Sequence, residues 1–101
     1  MATRLSLQKK LEEILGNKNV YYEPPEGYKL SYPCFVYQLG DVYRRPADNI
    51  GYSLMNQYQI TLIDRVPDNP ARDELLRLPY CSFDRSYKSD NLEHYIFQLY
   101  W

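Results

Sequence analysis

Residues 81–101 decide the fold, and they read Cys81-Ser-Phe-Asp-Arg-Ser-Tyr-Lys-Ser-Asp-Asn-Leu-Glu-His-Tyr-Ile-Phe-Gln-Leu-Tyr-Trp101. Residues 89–91, Ser-Asp-Asn, predict a tight turn, because Asp and Asn tolerate left-handed dihedral angles and their side chains bond to their own backbone. Beyond the turn, large apolar residues stand at both parities, as Phe97 and Ile96 show. The stretch predicts a β-hairpin whose second strand is covered on both faces. It also predicts that Trp101 is either pinned in the sheet or buried against another subunit.

The strand before this hairpin shows the clearest alternation in the sequence. Between residues 52 and 64, one parity holds Leu54, Tyr58, Ile60 and Leu62, whereas the other is mostly polar. This period of two is typical of a strand in an antiparallel sheet that has one covered face and one wetter face. Shorter runs of strand composition lie at 20–22 and 34–39, and the second continues beyond a bulge at Gly40.

Two segments repeat apolar residues at helical spacing. The stripe of the first consists of Leu7, Leu11, Ile14 and Leu15. Thr3 or Ser6 can cap the start of this helix, and Gly16 can end it in the left-handed conformation. In the second segment Pro70 suits the first helical position, with Asn69 as its cap. The inward residues of this second helix are predicted to be Leu75, Leu76 and Leu78.

The order of these elements predicts the fold class. A helix is followed by three strands, a second helix and two strands (α-β-β-β-α-β-β). A chain of 101 residues is long enough for one modest core. We therefore predict a single α+β domain over residues 1–101, with a mostly antiparallel sheet of about four to five strands and two helices packed on one face.

Composition narrows the function classes. The net charge is -1 and the isoelectric point is about 5.8, so the charge balance does not require a polyanionic partner. No apolar run approaches the ~18 residues that cross a bilayer, and the charged helical pattern after Met1 predicts that there is no signal peptide. Twelve tyrosines against three phenylalanines favour interface positions, or a sheet with a wet outer face that uses tyrosine for its β-propensity.

The sequence holds no recognisable catalytic or metal-binding pattern. His94 is the single histidine, and no two-His or Cys/His ligand set accompanies it. Cys34 and Cys81 lie far apart without Cys-x-x-Cys spacing, which predicts buried free thiols. The four glycines are isolated, so the sequence has no glycine-rich phosphate loop. We expect neither enzymatic activity nor a cofactor or metal.

A polar segment at residues 44–51 is predicted to form a long loop between two antiparallel strands. At its start Tyr43 precedes Arg44 and Arg45. An aromatic ring beside two guanidinium groups can stack on bases and hold phosphates. Acidic Asp41 and Asp48 flank these cations, so docking onto a neighbouring subunit is favoured, since Arg and Tyr are preferred interface anchors. The predicted subunit or partner interface consists of Tyr43, Arg44, Arg45, Asp48, Tyr100 and Trp101.

Several runs, which together cover nearly the whole chain, resemble one family. They are Leu7-x-x-x-Leu-x-x-Ile-Leu-Gly16, Asn19-Val-Tyr-Tyr-Glu-Pro-Pro25, Tyr32-Pro-Cys-Phe-Val-Tyr37, Ala47-Asp-Asn-Ile-Gly-Tyr52, Tyr58-Gln-Ile-Thr-Leu-Ile-Asp-Arg65 and Cys81-Ser-Phe-Asp-Arg-Ser-Tyr-Lys-Ser-Asp-Asn-Leu-Glu-His94. With these runs the sequence resembles the tail-terminator and tail-completion proteins of long-tailed bacteriophages and prophages, also grouped as minor capsid or head-tail joining proteins. None of the runs is catalytic.

The resemblance implies a structural role in the virion. Tail terminators are α+β subunits that form a homo-oligomeric ring, commonly a hexamer, on the last ring of the tail tube. The ring stops tube polymerisation and presents a surface to the head connector protein, while DNA passes through the lumen without sequence-specific binding. The implied partners are therefore the tail tube protein and the head connector protein, with no membrane involved. The implied location is the tail or neck of the virion, and the host cytoplasm during assembly.

Two other classes of function stay open on the sequence. One is another head-tail connector or head-completion component, or a small non-catalytic regulator that binds one protein partner through a sheet edge. The other is a small enzyme or nucleic-acid binder, which has the least support in the residues. Light scattering that shows a ring, or electron micrographs that show binding to tail tubes, would distinguish a tail terminator from these two classes.

We predict that replacing Arg44 and Arg45 with Ala leaves the fold intact and weakens assembly, because the loss of both guanidinium groups removes two interface anchors. Circular dichroism checks the fold, and joining of heads to tails in an assembly assay checks the interface. Unchanged joining by this variant would exclude the 44–51 segment from the contact.

Overall fold

A computed structural model of the protein describes residues 3–44 and 54–101, with side chains over 3–40 and 56–101. The elements in these ranges are α1 (Arg4–Leu15), β1 (Val20–Tyr22), β2 (Cys34–Arg44), β3 (Leu54–Asp64), α2 (Pro70–Leu76), β4 (Cys81–Ser89) and β5 (Leu92–Tyr100). Their order confirms the predicted α-β-β-β-α-β-β arrangement and the α+β class. Tyr52, where the third strand was predicted to start, lies outside the described residues.

The five strands form one sheet in the order β1-β2-β3-β5-β4. β1 runs parallel to β2, and the other neighbouring pairs are antiparallel. The register between β2 and β3 shifts between Leu39 and Asp41, which confirms the predicted bulge at Gly40. The α2 connection skips the position next to β3, so that β4 lies one strand further out and β5 returns to pair with β3. β4 is left at one edge of the sheet and β1 at the other.

Both helices lie on one face of the sheet, and the core lies between the helices and that face. Leu7 and Leu11 of α1 are fully buried there, as is Leu75 of α2. The strand residues of this cluster all lie on the same face of the sheet and are Val20, Phe35, Tyr37, Tyr58, Ile60, Leu62, Tyr95, Phe97 and Leu99. Burying a large aliphatic or aromatic side chain contributes about 1.5–3 kcal/mol, so this shared face is the main source of stability.

The opposite face of the sheet is mixed, as the alternation predicted. Cys34, Ile63 and Ile96 belong to it and are buried nonetheless. A row of amide side chains crosses three strands of the same face, because Gln38 stands opposite Gln59 and Gln59 opposite Gln98. The second strand of the hairpin is thus covered on both faces over its central residues, as the sequence predicted.

The local signals in the sequence account for the helix starts and for the hairpin. Thr3 is the N-cap of α1, where its side chain accepts a hydrogen bond of 3.2 Å from the backbone N–H of Ser6. Asn69 caps α2 by accepting 2.8 Å from Ala71 N–H. The hairpin turns at Asp90 and Asn91, both with positive φ, as their residue types allow.

One helix prediction is wrong in part. Leu75 is buried and Leu78 packs against the core, but Leu76 is 38% exposed. Successive helix residues are about 100° apart, so a seven-residue helix that turns Leu75 into the core directs its neighbour away from it. Leu76 lies instead beside the edge strand β4.

Candidate interaction site

The predicted interface residues Tyr43 and Arg44 are the last two residues of β2. In the register with β3 they stand opposite Met55 and Leu54. Arg45 and Asp48 lie outside the described residues. The backbone therefore places the start of the predicted contact segment at one end of the β2–β3 pair.

Tyr100 lies at the same end of the sheet as Tyr43. Gln57 of β3 stands opposite both Asp41 of β2 and Tyr100 of β5. The Tyr100 hydroxyl accepts a hydrogen bond of 3.4 Å from the Gln57 side-chain amide, and the same amide donates to Gln98 at 3.1 Å. The fold thus brings the two halves of the predicted interface together, although they are more than fifty residues apart in sequence.

Trp101 is held by its own chain. Its backbone N–H donates to the Asn56 carbonyl at 2.9 Å, and its carbonyl accepts from the Asn56 N–H at 3.3 Å. Its indole N–H lies 3.2 Å from the Thr3 carbonyl and 3.0 Å from the Ser6 hydroxyl oxygen. Trp101 was predicted to be either pinned in the sheet or buried against another subunit, and in the single chain it is pinned to β3. The indole also reaches the N-cap of α1, a contact for which the sequence has no signal.

A shallow groove of about 400 Å³ lies between α1 and the edge strand β1. We name it the β1 groove; its lining residues are Arg4, Leu5, Gln8, Val20, Tyr21, Tyr22, Pro24, Pro25 and Tyr28. Exposed apolar surface of this kind, bordered by polar groups, is typical of a protein-binding site.

A side-chain network holds the floor of the β1 groove in place. The Arg4 guanidinium lies 4.5 Å from the centre of the Tyr22 ring and donates to the Tyr37 hydroxyl at 3.1 Å. That hydroxyl donates in turn to Gln8 Oε1 at 2.6 Å. Burial raises the pKa of Tyr37, and burial with a hydrogen bond to Glu23 raises the pKa of Tyr22. Both phenols therefore stay neutral, and the charge of the groove floor comes from Arg4.

The opposite edge of the sheet carries a second aromatic surface, which we name the β4 edge and define as residues 80–88. Every residue from Ser82 to Ser89 is exposed. Tyr80 is 70% exposed, and Phe83 and Tyr87 are each 46% exposed. A register shift between Phe83 and Arg85 marks a bulge in this strand.

The aromatic rings of the β4 edge rest on the neighbouring strand. The Phe83 ring meets Phe97 edge-on with 5.6 Å between ring centres, and Tyr87 stacks on His94 at 4.6 Å. Leu76 and Phe83 also line a groove of about 420 Å³ between α2 and β4. The rings are thereby oriented while much of their surface stays open to solvent.

Within residues 3–44 and 54–101, no group of three or more His, Cys, Asp or Glu side chains could hold a metal ion. His94 has its Nδ1 atom 3.1 Å from the Leu92 carbonyl and its ring against Tyr87. Both cysteines are free thiols; Cys34 is buried and Cys81 half-buried. No helix in the described part of the chain is long and apolar enough to span a membrane.

The residues of these two surfaces carry little local signal in the sequence. Leu5 stands outside the apolar stripe of α1. Because the stripe faces the core, Leu5 is directed toward solvent. Tyr80 precedes the predicted hairpin, and its exposure depends on β4 being an edge strand, which requires the strand order. The one signal in the sequence was an aromatic residue between Pro79 and a predicted strand.

We predict that Trp101→Phe lowers the free energy of unfolding by about 1 kcal/mol, because the ring keeps its packing and the indole N–H loses two acceptors. Removing Tyr100 and Trp101 together costs more than this, but less than the ~3–5 kcal/mol of a fully buried aromatic residue, because both side chains are only partly buried. Urea denaturation measures both changes, and Leu5→Ala on the exposed side of α1 is the control. A Trp101→Phe protein as stable as the wild type would contradict a role for the indole bonds.

Burial raises the pKa of the Cys34 thiol from 9.0 to about 12 and that of Cys81 to about 11. The thiolate is the reactive form, so we predict that both residues alkylate more slowly at pH 8 in the folded protein than in urea, with Cys34 the slower. In the unfolded chain the thiols ionise near pH 9, so their contribution to stability is complete below pH 9 and is lost as the pH rises toward 12. Single-cysteine variants Cys34→Ser and Cys81→Ser separate the two rates by mass spectrometry; equal rates in folded and unfolded protein would contradict the raised pKa values.

Comparison with known proteins gives no match to any protein family, curated protein or solved structure.

Proposed function

We propose that the chain is a structural subunit of a bacteriophage neck, which assembles into a ring on the end of the tail tube. The ring stops tube polymerisation and offers the surface on which head and tail join. The sequence runs that resemble tail-terminator proteins are one support. The observation that carries the proposal is the position of exposed apolar side chains at two opposite edges of one sheet.

Eight large hydrophobic residues in the described part of the chain are exposed, and six of them lie at the two edges. Leu5 and Tyr28 lie at the β1 edge. The other four are Leu76, Tyr80, Phe83 and Tyr87, which lie on or beside β4. A closed ring needs two different patches on each subunit, one for each neighbour, whereas a two-fold dimer needs only one. Two patches at opposite edges therefore favour a ring subunit.

The end of the sheet that carries Tyr43, Arg44 and Tyr100 belongs to neither edge. In the proposed ring this end is the contact for the tail tube protein or the head connector protein, because both edges are occupied by neighbouring subunits. Neither contact requires a cofactor or a catalytic group. DNA passes through the lumen of such a ring without base recognition, and the ring is part of the virion after assembly in the host cytoplasm.

We predict that the purified protein, added to a tail tube protein that is polymerising, shortens the tubes and binds at one end of each. Negative-stain electron microscopy measures tube length and the position of the added protein. The variant with Arg44 and Arg45 replaced by Ala should shorten the tubes less, whereas Val66→Lys, an exposed loop position away from both edges, should act as the wild type. Tubes of unchanged length with bare ends would contradict the proposal.

A further inference from the structure

We propose that the β1 groove binds an extended segment of a partner protein in which proline or aliphatic side chains surround one Asp or Glu. The Arg4 guanidinium binds the carboxylate, and the tyrosine and proline walls of the groove contact the apolar side chains. The site belongs to the single chain, so this inference goes beyond the proposed ring and does not rest on it. Leu5 and Tyr28 belong both to the groove and to the exposed apolar residues at the β1 edge, so a bound segment and a neighbouring subunit exclude one another there.

The charge of the groove selects an anionic group. Of the described residues that line the groove, Arg4 alone carries a charge. Its guanidinium has five N–H donors, and the Tyr37 hydroxyl receives one of them at 3.1 Å. Among the side chains that the structure describes, no carboxylate forms an ion pair with Arg4. A guanidinium that is oriented but has no anionic partner matches a carboxylate, which it can bind through two parallel hydrogen bonds.

The acidic residues on the elements beside the groove limit the number of charges that a ligand can carry. Glu12 Oε2 accepts 3.0 Å from the Gln8 side chain, and Glu23 Oε2 accepts 3.4 Å from the Leu39 N–H, so both are engaged away from Arg4. Neither side chain lines the groove, and Glu26 adds a third negative charge in the loop that follows β1. Like charges repel a strongly acidic chain. The ligand therefore carries one carboxylate rather than a run of them.

A tight turn fixes the aromatic wall of the groove. The Tyr28 N–H donates to the Pro25 carbonyl at 3.0 Å across this turn, and Gly27 supplies the positive φ of 81° that it requires. The Tyr28 ring meets Tyr21 edge-on with 5.6 Å between ring centres, yet its residue remains 53% exposed. Aromatic rings that are held in place and open to solvent form the kind of groove in which proline-rich segments dock in the polyproline II conformation.

The shape of this surface favours an internal chain segment. The groove is shallow, so an occupant keeps one side in water, whereas a small-molecule site encloses most of its ligand. The groove shares Leu5 and Gln8 with a second depression of about 510 Å³ on α1. An extended chain can therefore run across the exposed side of α1 without ending in the groove. The carboxylate that meets Arg4 is then that of a side chain.

The experiment selects peptides on the folded protein from a phage-displayed library of random dodecapeptides, which present no free carboxyl terminus. Enriched sequences should carry a single Asp or Glu with proline or aliphatic residues on both sides. Fluorescence polarisation then measures the affinity of the most enriched peptide. Arg4→Gln should bind it roughly tenfold or more weakly, because a hydrogen-bonded charge pair is lost. Arg77→Gln, which removes an exposed arginine at the end of α2, is the matched control and should bind as the wild type does.

Two further measurements locate the contact. Replacing the acidic residue of the peptide with its amide should cause the same loss with the wild type and little further loss with Arg4→Gln, because the two groups form one contact. Tyr28→Ala removes an exposed ring that lies outside the core, so it should weaken binding several-fold and leave folding intact. Circular dichroism checks the fold of each variant. If Arg4→Gln is unfolded, the amide peptide and Tyr28→Ala decide the matter.

Three results would overturn the inference. They are a selection without enrichment, enriched sequences that lack a carboxylate, and an affinity that neither the amide peptide nor Tyr28→Ala lowers. A folded Arg4→Gln protein that binds as tightly as the wild type would do the same. All of these results are measured on the single chain without tail tubes, so they leave the proposed neck function unaffected, and its failure would leave this site unaffected.

Discussion

The fold depends on the burial of β5 from both sides. Tyr95, Phe97 and Leu99 enter the core beneath the helices, while Ile96 is 3% exposed on the opposite face. A strand that is covered on both faces has to lie inside a sheet, so β5 takes the place between β3 and β4. This choice fixes the rest of the topology. It requires α2 to carry the chain past one strand position, and it leaves β4 at an edge.

The same constraint explains why stability and candidate function occupy different parts of the molecule. The central strands β2, β3 and β5 supply most of the sheet residues in the core, and burial there sets the stability. The edge strands contribute few buried residues, and their large side chains are partly open to solvent. Residues at the edges can therefore be substituted with less effect on folding than residues in the centre, which is the arrangement that a binding surface needs.

The sequence predicted most of the fold because its signals were local. Caps at Thr3 and Asn69, the bulge at Gly40 and the turn at Asp90 each follow from one residue type in one backbone conformation. The pattern could not fix the strand order, since β5 beside β3 depends on contacts between distant segments. The exposure of Tyr80 follows from that order, and the β1 groove depends on the position of α1 against β1. The predicted interface was therefore placed only in part, at the end of the sheet where Tyr43 and Tyr100 meet.

The bond between Trp101 and the cap of α1 has a consequence for the time at which the helix is completed during synthesis. The indole and the Thr3 carbonyl are 98 positions apart in the chain. Residues 3–15 leave the ribosome before the strands and can form a helix, but an isolated helix of this length is marginal in water. Its apolar stripe has no sheet to cover it until the central strands have formed, and its cap receives the indole only after residue 101 has emerged. Until residue 101 has emerged, a nascent chain therefore displays an amphipathic helix whose cap is incompletely anchored.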